Sequence, residues 1–125
     1  MPKRPPVRVR LSPEAEADLL DILQWSEERF GQGAAARYAE LVIQALRDLE
    51  ADAGRPGARQ RDELPPEVYS YHLAGSRDRV AGDRVRTPRH FILFQLRNDA
   101  VLDVLRILHD SRDLARHIPD ELPEA

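Results

Sequence analysis

The stretch Val101-Leu102-Asp103-Val104-Leu105-Arg106-Ile107-Leu108-His109, running into Asp110-Ser111-Arg112-Asp113, decides how this chain is read. Its two-residue period puts Val101, Leu105 and Ile107 on one side and Leu102, Val104 and Leu108 on the other. A strand apolar on both sides belongs inside a sheet that is covered above and below. Arg106 is the exception, a charge among Leu102, Val104 and Leu108. An arginine in that position is more often held by a carboxylate than free for chemistry. Asp103 falls on the opposite side, so the partner must come from elsewhere, and Glu63 is the candidate. His109 ends the strand, where its simplest role is to hydrogen-bond the turn Asp110–Asp113. Arg106 and His109 are three apart and point to opposite faces unless a bulge or the strand end intervenes.

Working backwards, Asn98-Asp99 suits the positive φ angles of a two-residue hairpin turn. Arg89 to Arg97 is apolar through its middle and reads as a second central strand. Val68 to Leu73, with Tyr69, Tyr71 and Leu73 on one side, reads as a third. Between them Ala74 to Thr87 is polar and glycine-containing, a long hairpin loop. Gly54 to Pro66 is broken by Gly54, Pro56, Gly57, Pro65 and Pro66 and reads as loop.

The first half of the chain has a different rhythm. Val7, Val9 and Leu11 alternate with Arg8 and Arg10, a short half-buried strand. Ser12 is placed to cap a helix, and Pro13 fits its first position. Ala15, Leu19, Ile22, Leu23, Ser26 and Phe30 recur at helical spacing until Gly31 supplies a stop, giving a helix over about 13–30. Gln32-Gly33 connects to a second helix over about 34–51, with Ala35, Tyr38, Ala39, Val42, Leu46 and Leu49 inward. So short a connection folds the two into a helical hairpin. Asp113 is placed to cap a last short helix, Leu114–His117. The order is β-α-α-β-β-β. It predicts an α+β fold: an antiparallel sheet with an N-terminal helical hairpin packed on one face, a single domain over residues 7–118 between frayed tails at 1–6 and 119–125.

Composition narrows the functions. The chain has 125 residues and no cysteine, which excludes disulfides and thiolate metal sites and permits a reducing compartment. No apolar run approaches a membrane span, and Met1 to Arg10 lacks the apolar core of a signal peptide. The four histidines form no ligand array, so no metal is expected, and no Gly-rich phosphate loop is present. The net charge of −3 is uneven: residues 55–90 hold eight arginines against five acids. That stretch is either a solvated arginine-rich loop or a counter-surface for an acidic partner. The outer face of the first helix, with Asp18, Asp21, Gln24 and Glu28, is likewise a solvated face or a meeting surface. Trp25 beside the core stripe reads as half-buried packing in preference to an anchor for a partner.

Several stretches resemble one family. Leu11-Ser12-Pro13-Glu14-Ala15-Glu16-Ala17-Asp18-Leu19, Phe30-Gly31, Tyr38, Pro88-Arg89-His90 before Phe91-Ile92-Leu93-Phe94, and Val104 to His109 followed by Arg112-Asp113 are similar to ParE-type toxins of the RelE/ParE superfamily. The likeness spans about residues 7–118 in order. It implies a cytoplasmic toxin of a type II toxin–antitoxin system (plasmid-stabilisation type). Such a toxin works without cofactor and forms a hetero-oligomer with a cognate, ParD-like antitoxin. ParE-type members act on DNA gyrase. RelE-type members cut mRNA on the ribosome. A third possibility is a non-toxic partner that acts only in operon co-repression.

Metal-free RNA cleavage needs a base for the 2′-hydroxyl and cations at the phosphorus. The resemblance implies sheet-borne Lys or Arg and a late Tyr or His for a nuclease. Here Arg89, Arg106 and His109 are the candidates, with no Tyr after Tyr71 and no Lys after Lys3. The expectation is therefore a non-enzymatic toxin with no catalytic residues. Family antitoxins bind through a segment bearing acidic and apolar residues. The expected counter-surface is Arg59, Arg61, Arg77, Arg79 and Arg89.

Overall fold

In the computed structural model, residues 6–82, 84–97 and 100–118 are described. Strands β1 (Arg8–Leu11), β2 (Arg59–Gln60), β3 (Val68–His72), β4 (His90–Leu96) and β5 (Val101–His109) make one sheet in the order β1-β5-β4-β3-β2. Helices α1 (Pro13–Phe30) and α2 (Gln32–Ala51) form the expected hairpin on one face. The α+β architecture matches the one read from periodicity. Its sheet is mostly antiparallel, because β1 pairs parallel with β5, Arg8 opposite Val101 through Leu11 opposite Val104.

Four local readings change. The Gly54–Pro66 loop contains β2, which pairs antiparallel with β3 and forms the far edge. β3 stops at His72, and Leu73–Arg79 winds into a 3-10 helix where a loop was expected. α2 begins at Gln32, so Gly31 alone joins the helices, at a φ of 94° that suits a residue without Cβ. Phe30, expected inward, is 67% exposed, because α1 is buried fully only at Ala15 and Ser26. The expected turn at Asn98-Asp99 and most of both tails lie outside the described residues.

β5 holds the fifth change. Its register with β4 jumps from Leu93 opposite Arg106 to Phe94 opposite Val104, leaving Leu105 as an extra residue. Such a bulge shifts the alternation by one. Leu102, Val104 and Ile107 therefore face the helices, while Leu105 and Leu108 face away. The helix-side core joins them to Leu41, Val42, Ala45 and Leu49 of α2 and to Tyr71, Ile92 and Phe94 of the sheet. On the other face Leu64, Val68, Leu93 and Leu114 close over Leu105 and Leu108. Both sides of the strand are covered, as its two-sided apolar pattern requires.

Ser12 fixes the entry of α1 against the bulge. Its hydroxyl accepts from the Ala15 backbone N–H at 3.0 Å and donates to the Leu105 carbonyl at 2.9 Å. Its own backbone N–H donates to the Val104 carbonyl at 3.0 Å. The N-cap alone is worth about 1 kcal/mol. Here it also satisfies a strand carbonyl beyond the end of β1.

Candidate functional site

β3, β4 and β5 bring three histidines to one end of the sheet. His72 lies opposite Phe91, and His90 opposite His109. The His90 and His109 rings meet edge to face at 5.3 Å. Tyr38 of α2 reaches into this group. Its oxygen accepts from the Arg89 backbone N–H at 3.1 Å and lies 2.6 Å from His90 Nδ1. With its acceptor side taken, the phenol donates to that nitrogen. Burial, and next the neighbouring His109, push the His90 pKa down to about 4. Burial also pushes the Tyr38 phenol up to about 12. The pair is therefore neutral and acts as a tie between α2 and the start of β4.

Asp110 is the acid of this group. Its carboxylate accepts from His72 Nε2 at 3.1 Å and pairs with Arg89 at 2.9 Å. Burial opposes its ionisation, but the His72 hydrogen bond and the Arg89 charge outweigh that and hold the carboxyl below its usual range. His72 Nδ1 accepts the Ala74 N–H at 3.0 Å, which leaves the proton on Nε2 for Asp110.

His109 hydrogen-bonds the following turn, as the sequence reading expected. Its Nδ1 lies 2.8 Å from Ser111 Oγ and accepts the Ser111 backbone N–H at 3.1 Å. Arg106 is held by a carboxylate, but the partner is Asp18 of α1 in place of Glu63. Nε reaches Asp18 Oδ2 at 2.7 Å and Nη2 reaches Oδ1 at 2.8 Å. Nη1 donates to the His117 carbonyl at 3.0 Å. Glu63 instead lies 3.5 Å from Arg61. Asp18 thus leaves the outward face of α1 to which periodicity assigned it. It lies one turn from both Ala15 and Ile22, and that spacing was the available signal.

Several arginines of residues 55–90 are engaged by different partners within the chain. Arg61 stacks over Phe91 at 4.5 Å and donates to Ser70 Oγ at 2.9 Å. Arg59 is exposed on the edge strand β2 and has no ion pair among the described residues. Arg77 donates to the Arg86 carbonyl at 2.8 Å. Arg79 is drawn to Asp48 of α2 at 2.8 Å, and Arg55 to the same carboxylate at 3.2 Å. Sequence reasoning missed Asp48, which is buried and also accepts from Ser76 at 2.6 Å and Gln44 at 2.9 Å. Burial opposes its charge, yet these bonds and the two arginines keep its pKa lowered. An acid three residues after Ala45 and next to Leu49 on the core stripe was the signal. Close by, a Cβ at Gly75 would come within 2.6 Å of the Tyr71 hydroxyl oxygen, so glycine is required for the 3-10 helix to lie down.

Among the described residues no group of three or more His, Cys, Asp or Glu is placed to hold a metal. No helix there is long and apolar enough to cross a membrane.

Comparison with known proteins gives one answer. Residues 9–114 match the family model described as the ParE toxin of the type II toxin–antitoxin system parDE. "Toxin ParE1" of Caulobacter vibrioides is 32% identical over 109 residues, covering 87% of this chain and 95% of that protein. "Toxin ParE1" of Mycobacterium tuberculosis is 28% identical over 116 residues, 89% and 97% of the two chains. In structure, the chain is similar to one from the chromosomal ParDE system of P. aeruginosa, at a TM-score of 0.61 and 16% identity, with 82% and 95% covered. It is also similar to one from the toxin–antitoxin complex RelBE2 of Mycobacterium tuberculosis, at 0.50 and 21%, with 88% and 98% covered. The two structural likenesses speak for the fold alone. The family match runs from the first strand to the last short helix, and with the Caulobacter relative it makes this chain a member of the ParE toxin family of type II toxin–antitoxin systems.

Proposed function

We propose that this toxin inhibits DNA gyrase without acting as an enzyme, in the cytoplasm, and is neutralised in a hetero-oligomer with a ParD-like antitoxin. The observation that carries the choice of target is the engagement of all three nuclease candidates. Arg106 spends its guanidinium on Asp18 and the His117 carbonyl. Arg89 is paired with Asp110. His109 accepts a backbone N–H at Nδ1, which puts its remaining proton on Nε2 and leaves no lone pair for a 2′-hydroxyl. The bulge at Leu105 precedes both residues, so ordinary alternation puts Arg106 on the Leu108 side of β5 and His109 on the other. Arg106 is thus kept apart from His109, and Arg89, which shares the Asp110 carboxylate with His109, is occupied by it.

For the antitoxin, Arg59, Arg61 and Arg77 are the contacts we favour, because their charge is least neutralised within the chain. Arg79 and Arg89 belong to the same proposed surface but share their charge with Asp48 and Asp110. Primer extension on mRNA from cells expressing the toxin alone tests the target. Growth arrest without new RNA ends is expected. Codon-positioned cuts that vanish in His109→Ala or Arg106→Ala would establish a RelE-type endonuclease instead.

A further inference from the structure

The large apolar side chains left exposed among the described residues all lie on the helical hairpin: Leu20, Trp25 and Phe30 on α1, Ile43 on α2. Trp25 and Phe30 touch edge to face at 5.7 Å, and the Arg29 guanidinium lies 5.2 Å over the indole. An exposed Trp–Phe pair contributes little to a core that closes without it, and exposed aromatic patches mark contact sites.

The charge along α1 is one-sided. α1 carries Glu14, Glu16, Asp18, Asp21, Glu27 and Glu28 against the single Arg29. Asp18 is turned inward to Arg106. The other five are exposed, and none joins an ion pair among the described residues. Their side-chain hydrogen bonds are local, Gln24 to Glu28 at 3.2 Å and Gln32 to Glu27 at 3.5 Å. The contrast with Asp18, Asp48, Asp103 and Asp110, each paired with arginine, is direct.

We propose that the outer face of α1, with Trp25 and Phe30 as anchors and its unpaired carboxylates, is where this toxin docks on gyrase, on a basic surface bordering the one that holds DNA. The assignment rests on gyrase being the target. An enzyme that grips a polyanion presents clustered Lys and Arg. An acidic helix is complementary to such a surface, and that complementarity speeds and orients encounter. Trp is the residue type most often found at the energetic centre of a contact. The proposed antitoxin surface has the opposite sign, so the two faces suit different partners.

Binding of full-length toxin to immobilised gyrase holoenzyme tests this, using wild type, Trp25→Ala and the double variant Glu27→Lys/Glu28→Lys. These positions are exposed, and circular dichroism checks that the fold survives. Each variant is expected to weaken gyrase binding by about tenfold or more. The double variant's loss should shrink as salt is raised. Affinity for the cognate antitoxin should stay within about twofold. Wild-type binding with both variants unaffected overturns the docking assignment and leaves the gyrase reading intact. Loss of antitoxin affinity with gyrase affinity unchanged also overturns it, by making the antitoxin the occupant. Wild-type toxin that binds no gyrase overturns both.

Discussion

Asp18 and Arg106, 88 positions apart, form a two-pronged ion pair at the edge of β5, and Asp18 Oδ2 also accepts the Ile107 backbone N–H at 2.9 Å. β1 ends opposite Val104, so this edge would otherwise be open beyond the bulge. One carboxylate therefore caps the strand, holds α1 and, through Arg106 and the His117 carbonyl, fastens the last 3-10 turn. Hydrogen bonding to Asp18 raises the Arg106 pKa further, so the guanidinium stays charged.

Asp18→Ala should destabilise the fold by about 2–3 kcal/mol, since it strands a poorly solvated guanidinium and a strand N–H together. Glu63→Ala, removing a half-exposed acid 3.5 Å from Arg61, should cost under about 0.5 kcal/mol. Urea denaturation midpoints measure both. Equal losses would return the partnership to Glu63.

The buried His90 makes stability depend on pH with a defined sign. Its folded pKa of about 4 lies below the ordinary histidine value of 6.5, so the unfolded chain binds the proton first. The contribution is full above about pH 6.5 and is lost as pH falls toward about 4. Asp48 and Asp110, with lowered pKa values, lose theirs at still lower pH. An NMR titration should place the His90 midpoint near 4. A midpoint near 6.5 would mean that the Tyr38–His90 tie is open in solution.

The elements that repeat were the legible part of this fold. α1 started at Ser12-Pro13 and stopped at Gly31, and β4 and β5 lay in place, because caps and apolar periods are local signals. The β5 faces were misassigned because a single inserted residue, Leu105, inverts everything after it and leaves no mark in composition. β2 and the 3-10 helix at 73–79 were missed for another reason. Their residues are polar, and what holds them is distant: β3 for one, Asp48 for the other. The arginine-rich stretch reads as uniformly free charge only while its partners are unknown. Asp48 and Asp110 claim part of it, and both signals sat in plain view as acids on apolar or strand-end positions.

Arg59 and Arg61 carry the most direct test of the antitoxin surface. Arg59 projects from the edge strand, and Arg61 is braced by Phe91 and Ser70 beside it. Reversing both to Glu should weaken the complex by about 10- to 100-fold at low salt, with a smaller effect at high salt. Isothermal calorimetry at two salt concentrations reads this. An affinity unchanged at low salt would move the antitoxin elsewhere on the toxin.

The central claim, a toxin whose target is gyrase, is tested most directly by a supercoiling assay with purified toxin and gyrase on relaxed plasmid. The expected result is loss of supercoiling with cleaved DNA trapped on the enzyme, reversed by adding antitoxin and unaltered by His109→Ala. Full supercoiling in the presence of folded, antitoxin-competent toxin would contradict it.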